Sequence, residues 1–175
     1  MSEVLLPLIL VSLVADVRGC VCDPARPETM EGRECSLTNV ATTQPDSPAI
    51  FFVKDANPTK PNRWLAIPRH LVHTIQEMDP EERAAYWTAA VSKAHELWGE
   101  QWGLAINGEE KRTQCQMHIH IGKLLDEADR SGGELVEGPR DIPVPPEGTG
   151  LWIHPEGNKL RVHIGGQVNE PVLMR

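Results

Sequence analysis

Two histidines and an amide recur at every second position in the stretch QMHIHI, which spans residues 116–121. Successive side chains of a β-strand face opposite sides, so Gln116, His118 and His120 are expected to share one face while the residues between them enter the core. A neutral imidazole nitrogen is a good nucleophile, and a second imidazole can donate a hydrogen bond or a proton. The stretch therefore predicts a catalytic pair. A surface pair, or two of three ligands of a metal ion, would give the same spacing.

The residues just before this stretch carry groups that could hold a phosphate. Arg112, Thr113 and Gln114 supply a guanidinium, a hydroxyl and an amide, and Asn107 adds a second amide. All of these groups can donate to phosphate oxygens. The sequence has no Gly-rich phosphate loop and no acidic cluster suited to Mg²⁺. The pattern favours phosphoryl or nucleotidyl transfer through a phosphohistidine, with no metal and no cofactor.

The elements that would position these groups indicate an α+β domain. Branched and aromatic residues predict strands over 49–55 and 63–68, joined by a proline-containing turn. Asp79, Pro80 and Glu82 predict the start of a long helix that ends at Gly99. Further strands are expected over 102–107 and 115–121, followed by a surface segment over 126–149 and a terminal hairpin over 150–165. We expect an antiparallel sheet with one long helix packed on it and a C-terminal hairpin.

The composition limits the class of protein and its partners. The chain has 175 residues, which suits one domain, and a net charge of −8. A general affinity for nucleic acid or for an acidic membrane is not expected from that charge. A small anionic substrate held by a few placed donors is compatible with it.

The N-terminal residues differ in composition from the rest. Residues 4–15 form an apolar run that is too short to span a bilayer and has the length of a signal-peptide core. We interpret 1–19 as a signal peptide or lipoprotein signal, 20–48 as an irregular Cys/Pro-rich arm, and 49–175 as the catalytic domain with its hairpin. An uncleaved anchor or interfacial segment is the alternative, and it would associate the protein with a membrane.

The four cysteines favour disulfides if the chain is exported. Cys20 and Cys22 are too close in sequence to favour pairing with each other, so each is expected to pair with Cys35 or Cys115. A zinc site is the alternative, but the cysteines lack the C-x-x-C spacing that is typical of one.

Two stretches resemble the motifs of the histidine-triad (HIT) superfamily. MHIHIGK, at residues 117–123, is similar to its alternating His motif, and DANPTKPNRWLAIPRH, at residues 55–70, is similar to its Asp-x-x-Pro hairpin. The resemblance covers residues 49–123 and implies a HIT-like fold. Within the superfamily, the order of LAIN, RTQ and HIHI resembles the bacterial CDP-diacylglycerol pyrophosphatases.

The resemblance also assigns roles to residues. It implies that His118 is the nucleophile that forms a nucleotidyl-histidine, and that His120 binds and polarises the phosphate. Gln116 stands where many members have a first His, and Arg63 stands where many have another His near the site. The resemblance further implies that Asp55 receives the ribose hydroxyls and that Asn107 and Thr113 bind phosphate. Arg112 and Gln114 stay candidates through their donor groups, and Gln116 and Arg63 are also expected to bind substrate.

The function implied is a metal-independent hydrolase of a nucleotide pyrophosphate, such as CDP-diacylglycerol cleaved to CMP and phosphatidate. One alternative is a soluble HIT hydrolase of a dinucleoside polyphosphate or phosphoramidate. A non-enzymatic nucleotide- or metal-binding module is the other, and the replacement of the first His by Gln116 favours it. The expected location is outside the bacterial cytoplasm, whether periplasmic, membrane-anchored or secreted. A homodimer is one of the oligomeric states that the sequence allows.

Overall fold

The computed structural model describes residues 17–45 and 48–175. The apolar run at residues 4–15, and with it most of the expected signal segment, lies outside the described residues. Within the described part of the chain, no helix combines the length and the hydrophobicity needed to cross a bilayer.

The protein is a mixed α+β structure built on one seven-stranded antiparallel sheet. The sheet order is β1-β2-β4-β3-β6-β7-β5. The strands are β1 (Ile50–Lys54), β2 (Trp64–Pro68), β3 (Trp102–Ile106), β4 (Ile119–Lys123), β5 (Glu134–Val136), β6 (Leu151–Glu156) and β7 (Lys159–Ile164), and the helices are α1 (Ser36–Thr43) and α2 (Pro80–Trp98). The expected terminal hairpin is formed by β6 and β7, and Gly157 in its turn has a φ of 63°.

The long helix α2 begins and ends where the sequence predicts. The Asp79 side chain accepts from the Glu82 backbone N–H, while the Glu82 side chain accepts from the Asp79 N–H. Gly99 ends the helix with a φ of 57°, a left-handed value that glycine adopts without strain. Tyr86 and Trp87 are 1% exposed and pack with the sheet in the main core, so the apolar face of the helix covers one face of the sheet.

The histidine stretch differs from the prediction in where its strand starts. The prediction of a strand over 115–121 is wrong for its first half, because β4 begins only at Ile119. The backbone just before Ile119 forms hydrogen bonds with segments outside the sheet. The Cys115 N–H donates to the Glu34 carbonyl and the Met117 N–H donates to the Val72 carbonyl, both at 2.8 Å. The prediction that Met117, Ile119 and Ile121 enter the core is confirmed, because all three are fully buried there.

Two further differences concern segments expected to be irregular. The N-terminal arm contains α1, whose Leu37 and Ala41 pack against Phe51, Leu65 and Ile67 on the sheet face opposite α2. The segment expected to follow the surface contributes β5, which pairs with β7 at the sheet edge. Long-range packing stabilises both elements, and their local sequences carry no strong signal.

One disulfide joins the arm to the domain, and a second lies within the arm. Cys20 pairs with Cys115, and Cys22 pairs with Cys35. This pairing agrees with the expectation that the two N-terminal cysteines do not bond to each other. Two disulfides in a chain of this size indicate an oxidising compartment.

Candidate active site

A cavity of about 640 Å³ opens between the arm, the β1–β2 hairpin and the C-terminal segment. Four basic side chains line it, from Arg33, Lys60, Lys111 and Arg112, against two acidic ones, from Asp55 and Glu170. The cavity is therefore locally positive on a chain whose net charge is −8. This local charge suits an anionic ligand.

His118 lies in the wall of this cavity and is 4% exposed. Its Nδ1 is 3.0 Å from the Gln116 carbonyl oxygen. A carbonyl only accepts hydrogen bonds, so Nδ1 carries the ring proton and Nε2 carries the lone pair. Burial lowers the pKa of His118 to about 4, which keeps the imidazole neutral at pH 7. His118 is thus a neutral imidazole whose free nitrogen is available as a nucleophile.

His120 packs beside it and has a different partner. The two rings meet edge to face with their centroids 4.8 Å apart. The Nε2 atom of His120 lies 3.0 Å from the Glu170 carboxylate, while its Nδ1 is buried without a hydrogen-bond partner among the described residues. Burial, followed by the neighbouring His118, lowers the pKa of His120 well below its usual value. Both imidazoles are therefore uncharged in the free protein.

Arg112 brings an unsatisfied positive charge to the same wall. It is 3% exposed, and its Nη1 donates only to the Met117 thioether sulfur at 3.3 Å. Its Nε and Nη2 are buried without partners among the described residues. Burial lowers the pKa of this guanidinium. A buried guanidinium with free donors is costly to fold, and an anion or a water molecule at these two nitrogens would offset that cost.

The structure brings most of the predicted site residues to the cavity. Those that line it are Asp55, Asn107, Arg112, Thr113, Gln114, His118 and His120. Two of them also hold neighbouring segments. The Gln114 amide accepts from the Ser36 hydroxyl and donates to the Arg33 carbonyl, which holds the arm in place. The side-chain oxygen of Asn107 accepts hydrogen bonds from two backbone N–H groups of the C-terminal segment.

The structure does not bring Gln116 to the cavity. Its side chain is 2% exposed and donates to the carbonyls of Pro68 and His70, each at 2.8 Å, while its oxygen accepts from the Val72 N–H. Since the strand starts only at Ile119, the alternation that would align Gln116 with the histidines does not extend that far. Gln116 fixes the loop after β2.

Arg63 is also absent from the cavity lining. It is 1% exposed, and its guanidinium donates to the carbonyls of Glu170, Leu173 and Met174 at 2.6–2.9 Å. Burial lowers its pKa. Arg63 therefore anchors the C-terminal segment beneath the site.

An ion pair in the cavity was not anticipated from sequence. Lys60 and Glu170 form an ion pair, and Glu170 also contacts His120 and receives a hydrogen bond from the Asn107 amide at 3.3 Å. They lie 110 positions apart, and neither belongs to a periodic pattern. No local spacing in the sequence could have linked them.

The cysteine sulfurs are the one group in the described part of the chain whose spacing would suit a metal ion. The Sγ atoms of Cys22, Cys35 and Cys115 lie within 4.8 Å of one another. Each is bonded in a disulfide, so none is the thiolate that a zinc ion requires. The two disulfides account for this cluster.

Comparison of the chain with models of protein families and with curated proteins found no match. The likeness to the histidine-triad superfamily therefore rests on the two sequence stretches that carry it. The geometry of the cavity is the remaining source of evidence on function.

Proposed function

We propose that the protein hydrolyses the pyrophosphate bond of a nucleotide through a covalent nucleotidyl-histidine at His118. The observation that carries the proposal is the state of that imidazole. Its Nδ1 is 3.0 Å from a carbonyl oxygen, its burial keeps it neutral, and it lines a cavity rich in basic side chains. A neutral imidazole with its proton held on the far nitrogen is a prepared nucleophile.

In the proposed first step, Nε2 of His118 forms a bond to the phosphorus next to the nucleoside, and the bond from that phosphorus to the bridging oxygen breaks. The ring then carries a positive charge, which the hydrogen bond from Nδ1 to the Gln116 carbonyl stabilises. In the second step the oxygen of water bonds to the phosphorus, the phosphorus–nitrogen bond breaks, and a nucleoside monophosphate leaves. The ring returns to its neutral state, and one proton of the water passes to solvent. Arg112 and the other basic side chains stabilise the phosphate charge in both steps.

We favour a lipid nucleotide such as CDP-diacylglycerol, which would give CMP and phosphatidate. Apolar side chains from Leu37, Val168 and Pro171 share the cavity with the basic ones, and Val168 is 54% exposed. In this proposal these three residues contact the acyl end of the substrate. The disulfides agree with a location outside the bacterial cytoplasm. A soluble dinucleoside polyphosphate is the competing substrate.

The HIT-like assignment belongs to the same proposal. The two motif stretches lie side by side, since β2 pairs with both β1 and β4. Helix α2 packs on this part of the sheet and buries Met117, Ile119 and Ile121. That arrangement agrees with the order of elements implied by the resemblance.

The deciding experiment traps the intermediate. Purified protein is incubated with CDP-diacylglycerol in detergent, or with a dinucleoside polyphosphate, each labelled at the phosphate next to the nucleoside, and is then quenched. We expect acid-labile label on His118 and none in His118→Ala, which should lose turnover but still bind nucleotide. His120→Ala should slow turnover by about 10²- to 10⁴-fold. His95→Ala, at an exposed histidine of α2, is the matched control and should behave as wild type.

Wild-type turnover by His118→Ala would contradict the catalytic proposal. In that case a nucleotide-binding module without enzymatic activity becomes the better explanation of the cavity. Cleavage of the dinucleoside polyphosphate alone would exclude the lipid substrate and retain the mechanism.

A further inference from the structure

Glu170, in the C-terminal segment, is an acidic residue that contacts His120 directly. Its Oε2 lies 3.0 Å from His120 Nε2 and accepts from the Asn107 amide, and its other oxygen pairs with Lys60. The Glu170 side chain is 15% exposed and lines the cavity. It therefore contacts one imidazole directly while its charge is balanced by an ammonium.

This contact determines where His120 carries its proton. A carboxylate only accepts hydrogen bonds, so His120 Nε2 must be the protonated nitrogen, which leaves Nδ1 with the lone pair. His118 has the reverse arrangement, because its Nδ1 donates to the Gln116 carbonyl. We infer that Glu170 is a positioning residue that holds His120 as a hydrogen-bond donor, so that the two neighbouring imidazoles enter the reaction in opposite tautomers.

The placement of Glu170 is fixed by residues that were expected to bind substrate. The Asn107 side-chain oxygen accepts the backbone N–H groups of Asn169 and Glu170 at 2.8 and 3.0 Å. Arg63 donates to the Glu170 and Leu173 carbonyls. Leu173 is 1% exposed, and the following residue donates its N–H to the carbonyl of Lys123 at the end of β4. The C-terminal segment is thereby bound to the sheet, which holds the carboxylate in one place.

The tautomer matters for the reaction, and here the inference rests on the proposed function. A protonated Nε2 on His120 can donate to an oxygen of the reacting phosphate when substrate displaces or shares the Glu170 contact. In the opposite tautomer the same nitrogen would present a lone pair to a phosphate oxygen and repel it. When the Nε2 proton of His120 is shared with the phosphate, Lys60 would still neutralise the charge of the Glu170 carboxylate. Glu170 thus separates the roles of nucleophile and donor between two chemically identical side chains.

The test reads the tautomers directly in the free protein. Nitrogen NMR of ¹⁵N-histidine-labelled wild type should show His118 protonated on Nδ1 and His120 protonated on Nε2. Glu170→Ala should move His120 to a mixed or reversed tautomer and leave His118 unchanged. Glu170→Gln retains an accepting oxygen and should keep the proton on Nε2. Glu137→Ala, at an exposed carboxylate paired with Lys159, is the control and should change neither ring.

Kinetics on the labelled nucleotide substrate complete the test. Glu170→Ala should lower kcat by about 10- to 100-fold without raising KM, the size of effect expected when a partner that orients a functional imidazole is lost. Glu170→Gln should recover most of that loss. If Glu170→Ala fails to fold, the wild-type tautomers decide in its place, and a wild-type His120 protonated on Nδ1 overturns the assignment.

The two measurements separate this inference from the proposed function. If the His120 proton stays on Nε2 in Glu170→Ala, or kcat is unchanged, Glu170 does not position His120. If the tautomer responds as expected but wild-type protein cleaves no nucleotide, the Glu170 assignment holds for the imidazole pair and the proposed hydrolase is wrong.

Discussion

Acidification should destabilise the fold through His118, by an amount that follows from its burial. The pKa of this residue is about 4 in the folded protein, chiefly because burial disfavours the charged ring, against an ordinary value of about 6.5. Between these two values the unfolded chain binds more protons than the folded one, so the free energy of unfolding falls as the pH falls. The loss is about 2 kcal/mol between pH 7 and pH 5, and about 3 kcal/mol once the pH is below 4.

The assay is urea denaturation at pH 7 and pH 5, with wild type compared with His118→Asn. Asparagine does not titrate, and its amide can donate to the Gln116 carbonyl in place of Nδ1. At pH 5 folded His118 is still mostly neutral, so its electrostatic effect on His120 is nearly the same at both values. Wild type should therefore lose about 2 kcal/mol more than His118→Asn between the two conditions. His95→Asn removes an exposed imidazole and should keep the wild-type dependence.

An equal loss of stability in wild type and in His118→Asn would contradict this prediction. It would mean that burial does not keep the His118 imidazole neutral, so that Nε2 would not carry a lone pair ready for reaction. A direct check is the NMR titration of the His118 ring, which should inflect near pH 4. The acid limb of kcat/KM should inflect in the same range.

Three further predictions concern the metal, the disulfides and the loop contact. Activity should persist in EDTA, because the proposed phosphate donors are N–H and O–H groups; loss of activity that Zn²⁺ restores would contradict this. In urea denaturation, removal of Cys20–Cys115 by paired serine substitutions should cost about 4–5 kcal/mol, and removal of Cys22–Cys35 about 3 kcal/mol, since the disulfides separate 95 and 13 positions. Equal losses would argue against an entropic origin. Gln116→His should lower the free energy of unfolding by about 1–3 kcal/mol, because buried groups lose partners, while kcat changes little. A rise in kcat would show that position 116 acts in catalysis.

The elements with short-range signals could be predicted from sequence. The helix start at Asp79 and its end at Gly99 depend on residues within one turn, and the structure has both as expected. The hairpin turn at Gly157 is equally local. The prediction that Met117, Ile119 and Ile121 face the core is also confirmed, because the alternation of side chains is a property of an extended backbone.

The failures have one physical origin, which is contact between distant parts of the chain. The start of β4 is delayed because Cys115 and Met117 bond to the arm and to the loop after β2. The Gln116 amide donates a hydrogen bond to the same part of the chain, whereas strand alternation alone would place this side chain in the cavity. Helix α1 forms where its apolar residues meet the back of the sheet. Local propensity cannot encode any of these contacts.

The histidine motif illustrates how far local information extends. Its spacing brings two imidazoles within 4.8 Å of each other, but spacing cannot make one a nucleophile and the other a donor. That difference comes from their acceptors. The acceptor of His118 is a carbonyl two residues earlier in the same segment, which any chain with this backbone turn would supply. The acceptor of His120 is a carboxylate 50 positions later, held by a segment that Arg63 and Asn107 anchor. Arg63, which departs from the motif, and Asn107, which was expected to bind phosphate, thus help to hold the carboxylate that determines the role of the second imidazole.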